Sequence, residues 1–227
     1  MITATTLTSR LADVRARIAQ ACERAGRDPA EVTLVGVSKT QPPEAVREAV
    51  AAGLLDLGEN RAQDLVAQAA AAAEARLAPR WHFIGHLQRN KVRDVLPHIV
   101  ALHSLDSARL VEEIERRRDA RDPLPCYLEV NIGGEQQKTG IAPAEVPALL
   151  AAAAASSALR VVGLMTVAPQ VTDPEQARPV FRALRELAEA HGLRGLSMGM
   201  TEDYAVAIEE GATVVRVGRA IFGERRT

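Results

Sequence analysis

The sequence predicts a single (β/α)8 barrel, a TIM-barrel α/β fold, with an extra N-terminal helix. Three observations predict it. Short apolar, β-branched runs alternate with helical patterns along the chain, eight strand-like runs in all. The length of 227 residues suits eight βα units. No Pro/Ser/Gly-rich linker interrupts the pattern, so residues 1–227 read as one domain. An open doubly wound sheet is the competing architecture, and it would more often show fewer strands.

The elements follow in order. Leu7, Leu11, Val14, Ile18 and Cys22 recur at helical spacing, so Leu7 to Arg24 is an amphipathic helix. Thr8 or Ser9 could cap its start, Gly26 ends it, and it could cover one end of the fold. Strand one, Val32 to Ser38, is a run apolar on both faces, as in a parallel sheet. Gln41-Pro42-Pro43 stops it before a helix over Glu44 to Ala52. Strand two is Leu55 to Leu57, followed by an Ala-rich helix from Arg61 to about Arg76. Strand three is Trp81 to Ile84, with a helix around Leu87 to Leu96. Strand four is Val100 to His103, and Asp106 or Ser107 caps a helix over Ala108 to Arg118. Strand five is Cys126 to Asn131, and Ala144 to Ala155 is helical behind Pro143. Strand six is Val161 to Met165, with an amphipathic helix over Pro174 to His191. Strand seven is Gly195 to Ser197, with a helix over Thr201 to Glu210 capped by Thr201. Strand eight is Thr213 to Val217.

Composition narrows the function classes. A net charge of -1 offers no electrostatic case for nucleic acid or an anionic membrane. The basic run Arg89-Asn90-Lys91-Val92-Arg93 reads as a solvated helix face. Cys22 and Cys126 lie far apart, form no CxxC, and read as reduced thiols. No Cys/His spacing suits zinc, and His82 and His86 fall on a strand-to-loop segment that does not put them on one face, so no metal site is expected. Met1 to Arg10 has no apolar signal core, and no apolar run approaches membrane-spanning length, which points to a cytoplasmic protein. Gly134 to Thr139 resembles a phosphate-binding P-loop only faintly, because Gln137 occupies the required glycine position. Lys138-Thr139-Gly140 lacks the companion motifs of a β-lactamase.

In a barrel, function collects where the strands end. Lys39 sits at the end of strand one, where shielding would favour its neutral, nucleophilic amine. Ser197-Met198-Gly199-Met200-Thr201 and Gly218-Arg219-Ala220 each lead into a helix N-terminus, an arrangement suited to phosphate. The plainer readings are a surface lysine and glycines that only let the chain turn. An amine and a phosphate site on one mouth suggest a ligand with an aldehyde at one end and a phosphate at the other. Pyridoxal 5′-phosphate (PLP) has both. Arg216, at the end of strand eight, could face the pyridine nitrogen and keep it unprotonated, or could pair with a carboxylate such as Glu59.

These residues also carry a family resemblance. Val37-Ser38-Lys39-Thr40, Gly58-Glu59-Asn60, Trp81-His82-Phe83-Ile84-Gly85, Leu87-Gln88 with Asn90-Lys91, Lys138-Thr139-Gly140, Gly163-Leu164-Met165, Leu196-Ser197-Met198-Gly199-Met200, and Arg216-Val217-Gly218 with Ile221-Phe222-Gly223 span nearly the whole chain in order. The set resembles the pyridoxal phosphate homeostasis protein family. That resemblance implies a barrel of the alanine-racemase type holding PLP as an aldimine on Lys39. It implies that Ser197, Gly199 and Gly218 hold the phosphate, Arg216 meets the pyridine nitrogen, and Asn60 and Met165 line the ring pocket. The resemblance further implies a protein that binds, buffers and delivers PLP without enzyme activity, with PLP-dependent apo-enzymes as the expected recipients. Two positions depart from its pattern. His86 stands where many relatives have proline, and Arg219 where many have threonine, which removes a hydroxyl from the phosphate site but leaves the backbone N–H.

A PLP-dependent racemase-like enzyme is the alternative reading. It needs a second acid/base, which related racemases take from an additional C-terminal domain. This sequence stops after strand eight and offers only Tyr127 and Tyr204. A barrel using Lys39 as an aldolase base, with Glu59 the mouth carboxylate, is the non-PLP reading. A monomer is expected.

Overall fold

The computed structural model describes residues 6–135 and 138–223, so the reading of Met1 to Thr5 and of the centre of the Gly134 to Thr139 run lies outside the described residues. Eight parallel strands close into a barrel in sequence order. They are β1 (Thr33–Val37), β2 (Asp56–Glu59), β3 (Arg80–Phe83), β4 (Ile99–Leu105), β5 (Leu124–Glu129), β6 (Leu159–Met165), β7 (Gly195–Ser197) and β8 (Val214–Val217). β8 pairs back onto β1, with Val35 opposite Arg216 and Gly36 opposite Val217. The ring of helices comprises α1 (Leu7–Arg24), α2 (Pro43–Ala51), α3 (Ala62–Glu74), α4 (Val92–Val95), α5 (Ala108–Glu115), α6 (Val146–Ala154), α7 (Arg178–Ala190), α8 (Tyr204–Glu209) and α9 (Arg219–Phe222).

α1 keeps the expected limits, but Thr6 rather than Thr8 or Ser9 caps it, its hydroxyl accepting from Ser9 N at 3.2 Å. The helix does not close an end of the barrel. It packs against α8, α9 and α2. The helix after β8 has one turn, so α1 fills the gap in the outer ring. Its stripe of Leu7, Leu11, Val14, Ile18, Ala21 and Cys22 is buried there. Arg10 Nε donates to Ile221 O at 2.7 Å, and Arg27 donates to Ile208 O and Ala212 O, both at 2.9 Å.

Other boundaries moved for local reasons. The helix expected over Leu87 to Leu96 shrinks to a 3-10 turn at Arg89–Lys91 and the single turn of α4, with Pro97 close behind. β4 runs past His103 to Leu105, because Ser104 and Leu105 are both buried. α8 begins at Tyr204, not Thr201, and residues 201–203 form a turn. Asp203 closes that turn, its carboxylate accepting from Met200 N at 2.6 Å. No helix among the described residues is long and apolar enough to cross a membrane.

Candidate functional site at the barrel mouth

The register of neighbouring strands brings the sequence-derived residues onto one arc. Asn60 follows β2, Lys39 follows β1, Gly218 follows β8, Ser197 ends β7 and Met165 ends β6. These five strands are consecutive around the closed sheet. Met165 pairs directly with Ser197, and Gly199 lies two residues further along.

Arg216 anchors the arc from inside. It is 4% exposed. Nη1 donates to Ser197 Oγ at 2.6 Å and Nη2 to Thr166 O at 2.9 Å. Burial pushes its pKa down to about 10, against the raising effect of the Asp203 and Glu129 charges. It is therefore a cation at neutral pH, and a donor only. The Glu59 salt bridge does not form. Glu59 instead accepts from the Ser38 hydroxyl at 2.7 Å. Burial first, then the Asp64 charge, raise Glu59 to about 7, opposed by the Ser38 hydrogen bond, the Lys39 charge and the Asn60 backbone N–H.

Lys39 departs from expectation. It is exposed on a turn rather than shielded at a strand end. β1 stops at Val37, and the chain swings outward through Thr40, which takes a φ of 63° ahead of the two prolines. The amine is therefore accessible, with the buried Glu59 carboxyl as its nearby charge partner.

Ser197 departs as well. The resemblance placed it on the phosphate, yet it is fully buried, its Oγ within 2.7 Å of His103 Nδ1 and accepting from Arg216. The hydroxyl beside the glycine loop belongs to Thr201, whose Oγ1 lies 3.4 Å from Gly218 N. The sequence places Thr201 at the end of the run suited to phosphate but gives its side chain a capping role. A hydroxyl residue two positions after Gly199 is the signal in the sequence that points to it. The Arg219 guanidinium turns away and pairs with Glu202 at 2.9 Å, both largely exposed. His86 hydrogen-bonds Asp106 at 2.9 Å, which occupies the polar group that the missing proline introduces. Gly85 beside it has to be glycine, because a Cβ there would sit 2.2 Å from Asn60 O.

Asn60 Oδ1 is buried and has no hydrogen-bond partner among the described residues, as is Glu129 Oε2 across the mouth. Burial raises the pKa of Glu129, opposed by the Thr139 hydroxyl. Glu129, Asn131, Lys138, Thr139 and Thr166 line a cavity of about 250 Å³. Both tyrosine rings are packed against other side chains. Tyr127 stacks on His103 inside the barrel at 4.6 Å. Tyr204 is 1% exposed and lies under Arg17 of α1, 5.4 Å from the ring centre.

Residues 10–226 match the family model described as "Alanine racemase, N-terminal domain". The "Pyridoxal phosphate homeostasis protein" of Aquifex aeolicus (strain VF5) is 44% identical over 224 residues, covering 96% of this chain and 97% of that one. This chain belongs to the pyridoxal phosphate homeostasis protein family. Its relative in Pseudomonas aeruginosa is also 44% identical, over 223 residues, with 97% of this chain and 96% of that protein covered. Among solved structures, PipY of Synechococcus elongatus PCC7942 with PLP bound has a TM-score of 0.81 at 32% identity. It covers 96% of this chain and 100% of its own. These relatives are named as homeostasis proteins, not as enzymes, on a barrel that the family model shares with alanine racemase.

Proposed function

We propose that the chain binds pyridoxal 5′-phosphate on the arc from Asn60 to Met165 and acts in intracellular PLP homeostasis, buffering and delivering the cofactor rather than turning over a substrate. The observation that carries this reading is the placement of an accessible lysine, a buried arginine and a glycine-rich loop pair on adjoining strand ends, in a chain whose relatives carry that name. The residues present fit the cofactor. Asn60 Oδ1 is a buried acceptor awaiting a donor, which costs about 1–3 kcal/mol while unmet. The one-turn helix beginning at Arg219 and the Thr201 hydroxyl flank Gly218, offering N–H and O–H donors to a phosphate.

When bound, PLP supplies an aldehyde that captures amines and an electron-withdrawing pyridine ring. Lys39 provides the amine that would bond the aldehyde carbon. Arg216, a permanent donor, would hold the ring nitrogen unprotonated and so keep the ring a weak electron sink. Gly199, Gly218, Thr201 and the Arg219 backbone would hold the phosphate, with Ser197 positioning Arg216 from beneath. Met165, 1% exposed, would back the ring. An accessible Lys39 suits exchange with recipient apo-enzymes, and the reading is of a cytoplasmic monomer.

The first test is the absorbance of the purified protein with PLP, before and after borohydride. A near-visible band that borohydride abolishes and that Lys39→Ala lacks is the expected result. A colourless protein that takes up no added PLP would sink the reading. Thr201→Ala should weaken PLP binding about three- to tenfold, the worth of one hydrogen bond, and leave pyridoxal binding unchanged. Equal losses for both ligands would remove Thr201 from the phosphate site.

A further inference from the structure

A line of polar side chains crosses the barrel interior from the end opposite the mouth. Asp56 opens β2, beside a groove of about 290 Å³ at the N-terminal ends of the strands. Its Oδ1 lies 3.1 Å from His82 Nε2. His82 Nδ1 lies 2.9 Å from His103 Nε2. His103 Nδ1 lies 2.7 Å from Ser197 Oγ, which accepts from Arg216. His82 is 7% exposed, and His103 and Ser197 are fully buried. No step in the binding reading uses the two imidazoles.

A line in which each imidazole carries one proton has a single consistent sense. Burial opposes the Asp56 charge, but hydrogen bonds from Arg80 and His82 and the Arg80 charge hold its pKa down to about 2, so it is a carboxylate and accepts only. His82 therefore carries its proton on Nε2, leaving Nδ1 bare. His103 must then donate from Nε2, leaving its own Nδ1 bare. Burial first, with the Arg216 charge beside it, lowers the pKa of His103 well below the ordinary imidazole value and so favours its neutral form. Ser197 consequently donates its only proton to His103 and presents lone pairs alone to Arg216. A serine so committed has no proton to give a phosphate, which accounts for its place beneath the site.

We propose that Asp56, His82 and His103 are positioning residues for the ring-nitrogen site, forming a one-way hydrogen-bond relay that makes Ser197 a pure acceptor and so sets the pose of Arg216. The proposal rests on the PLP reading. It assigns a binding role to a residue at the opposite end of the barrel. Asp56→Asn replaces an obligate acceptor with a group that can also donate. The reversed line, with His103 protonated on Nδ1, then becomes available, and Ser197 would receive two donors.

The test is ¹⁵N NMR of the histidine rings in the full-length protein without added PLP at neutral pH, followed by titration with PLP. The expected result is that His82 and His103 are both protonated on Nε2 alone. In Asp56→Asn the Nδ1-protonated form of His103 should appear, the PLP dissociation constant should rise about three- to tenfold, and the bound-cofactor absorbance band should shift. Arg80→Gln is the control. It removes the same Asp56 ion pair at the surface but leaves the carboxylate facing His82, so neither the tautomers nor the affinity should change. A wild-type His103 protonated on Nδ1 overturns the proposal, as does an Arg80→Gln loss equal to that of Asp56→Asn. Expected tautomers with unchanged PLP affinity in Asp56→Asn overturn the relay's role alone. A wild-type protein that takes up no PLP overturns instead the reading beneath it.

Discussion

Gly199→Ala is expected to destabilise the protein by about 2–5 kcal/mol and to disrupt the loop between β7 and α8. Gly199 has a φ of 89°, a conformation that costs an L-residue about 1–2 kcal/mol. Space is the larger obstacle. An added Cβ would lie 2.6 Å from the Ala207 Cβ and 2.9 Å from the Tyr204 Cα. Both atoms belong to α8, which is pinned between the barrel and α1 by the buried Tyr204 ring and by Arg27. Relief requires moving that helix, and overpacking of this kind adds about 1–3 kcal/mol. The same loop carries the acceptor for Arg216 N, the Gly199 carbonyl at 3.0 Å, so a shifted loop also shifts the strand bearing the guanidinium. Urea unfolding of both proteins measures the effect through the midpoint at constant slope. A variant within about 0.5 kcal/mol of wild type would mean that the loop has slack this packing denies.

The second large effect is on pH dependence and runs through Glu59. The folded carboxyl titrates at about 7, against an ordinary value of 4.5. Below pH 4.5 it is protonated in both states and contributes nothing to the slope. Between 4.5 and 7 the folded chain holds a proton that the unfolded chain has released, so stability falls as pH rises. Above 7 the loss levels off at about 3 kcal/mol, the pKa difference converted at about 1.4 kcal/mol per unit. Glu59→Gln removes the ionisation while leaving an oxygen for the Ser38 hydroxyl to donate to. The variant should therefore gain up to about 3 kcal/mol over wild type at pH 8 and little at pH 5. Denaturant unfolding at both pH values checks this. Identical wild-type and variant slopes between them would show that Glu59 is solvated and ordinary.

The barrel was legible because its signals are local. Strand one is a run apolar on both faces, the helices carry their own stripes, and β7 falls on the residues read for it, Gly195 to Ser197. The lysine, the arginine and both glycine loops were legible for the same reason, since in a closed parallel barrel every strand end faces one mouth. Positions set by a neighbour were harder to read. Leu87 to Leu96 has helical spacing, yet only the 3-10 turn at Arg89–Lys91 and the single turn of α4 form before Pro97. Thr201 has a capping side chain, but α8 starts after Asp203, whose carboxylate accepts from Met200 N in the preceding turn. The end of a strand apolar on both faces predicts a shielded Lys39, whereas the turn through Thr40 leaves it exposed.

The sequence by itself determined the eightfold alternation, the closure of Leu7 to Arg24 into a helix, and the choice of residues that ring the mouth. Those follow from periodicity, which depends on each segment's own residues. Only the tertiary structure decided that Ser197 serves Arg216 from below, and that Asp56, His82 and His103 join it in one line. These four come from four different strands, and their meeting depends on barrel register and inward direction, which separation along the chain does not encode.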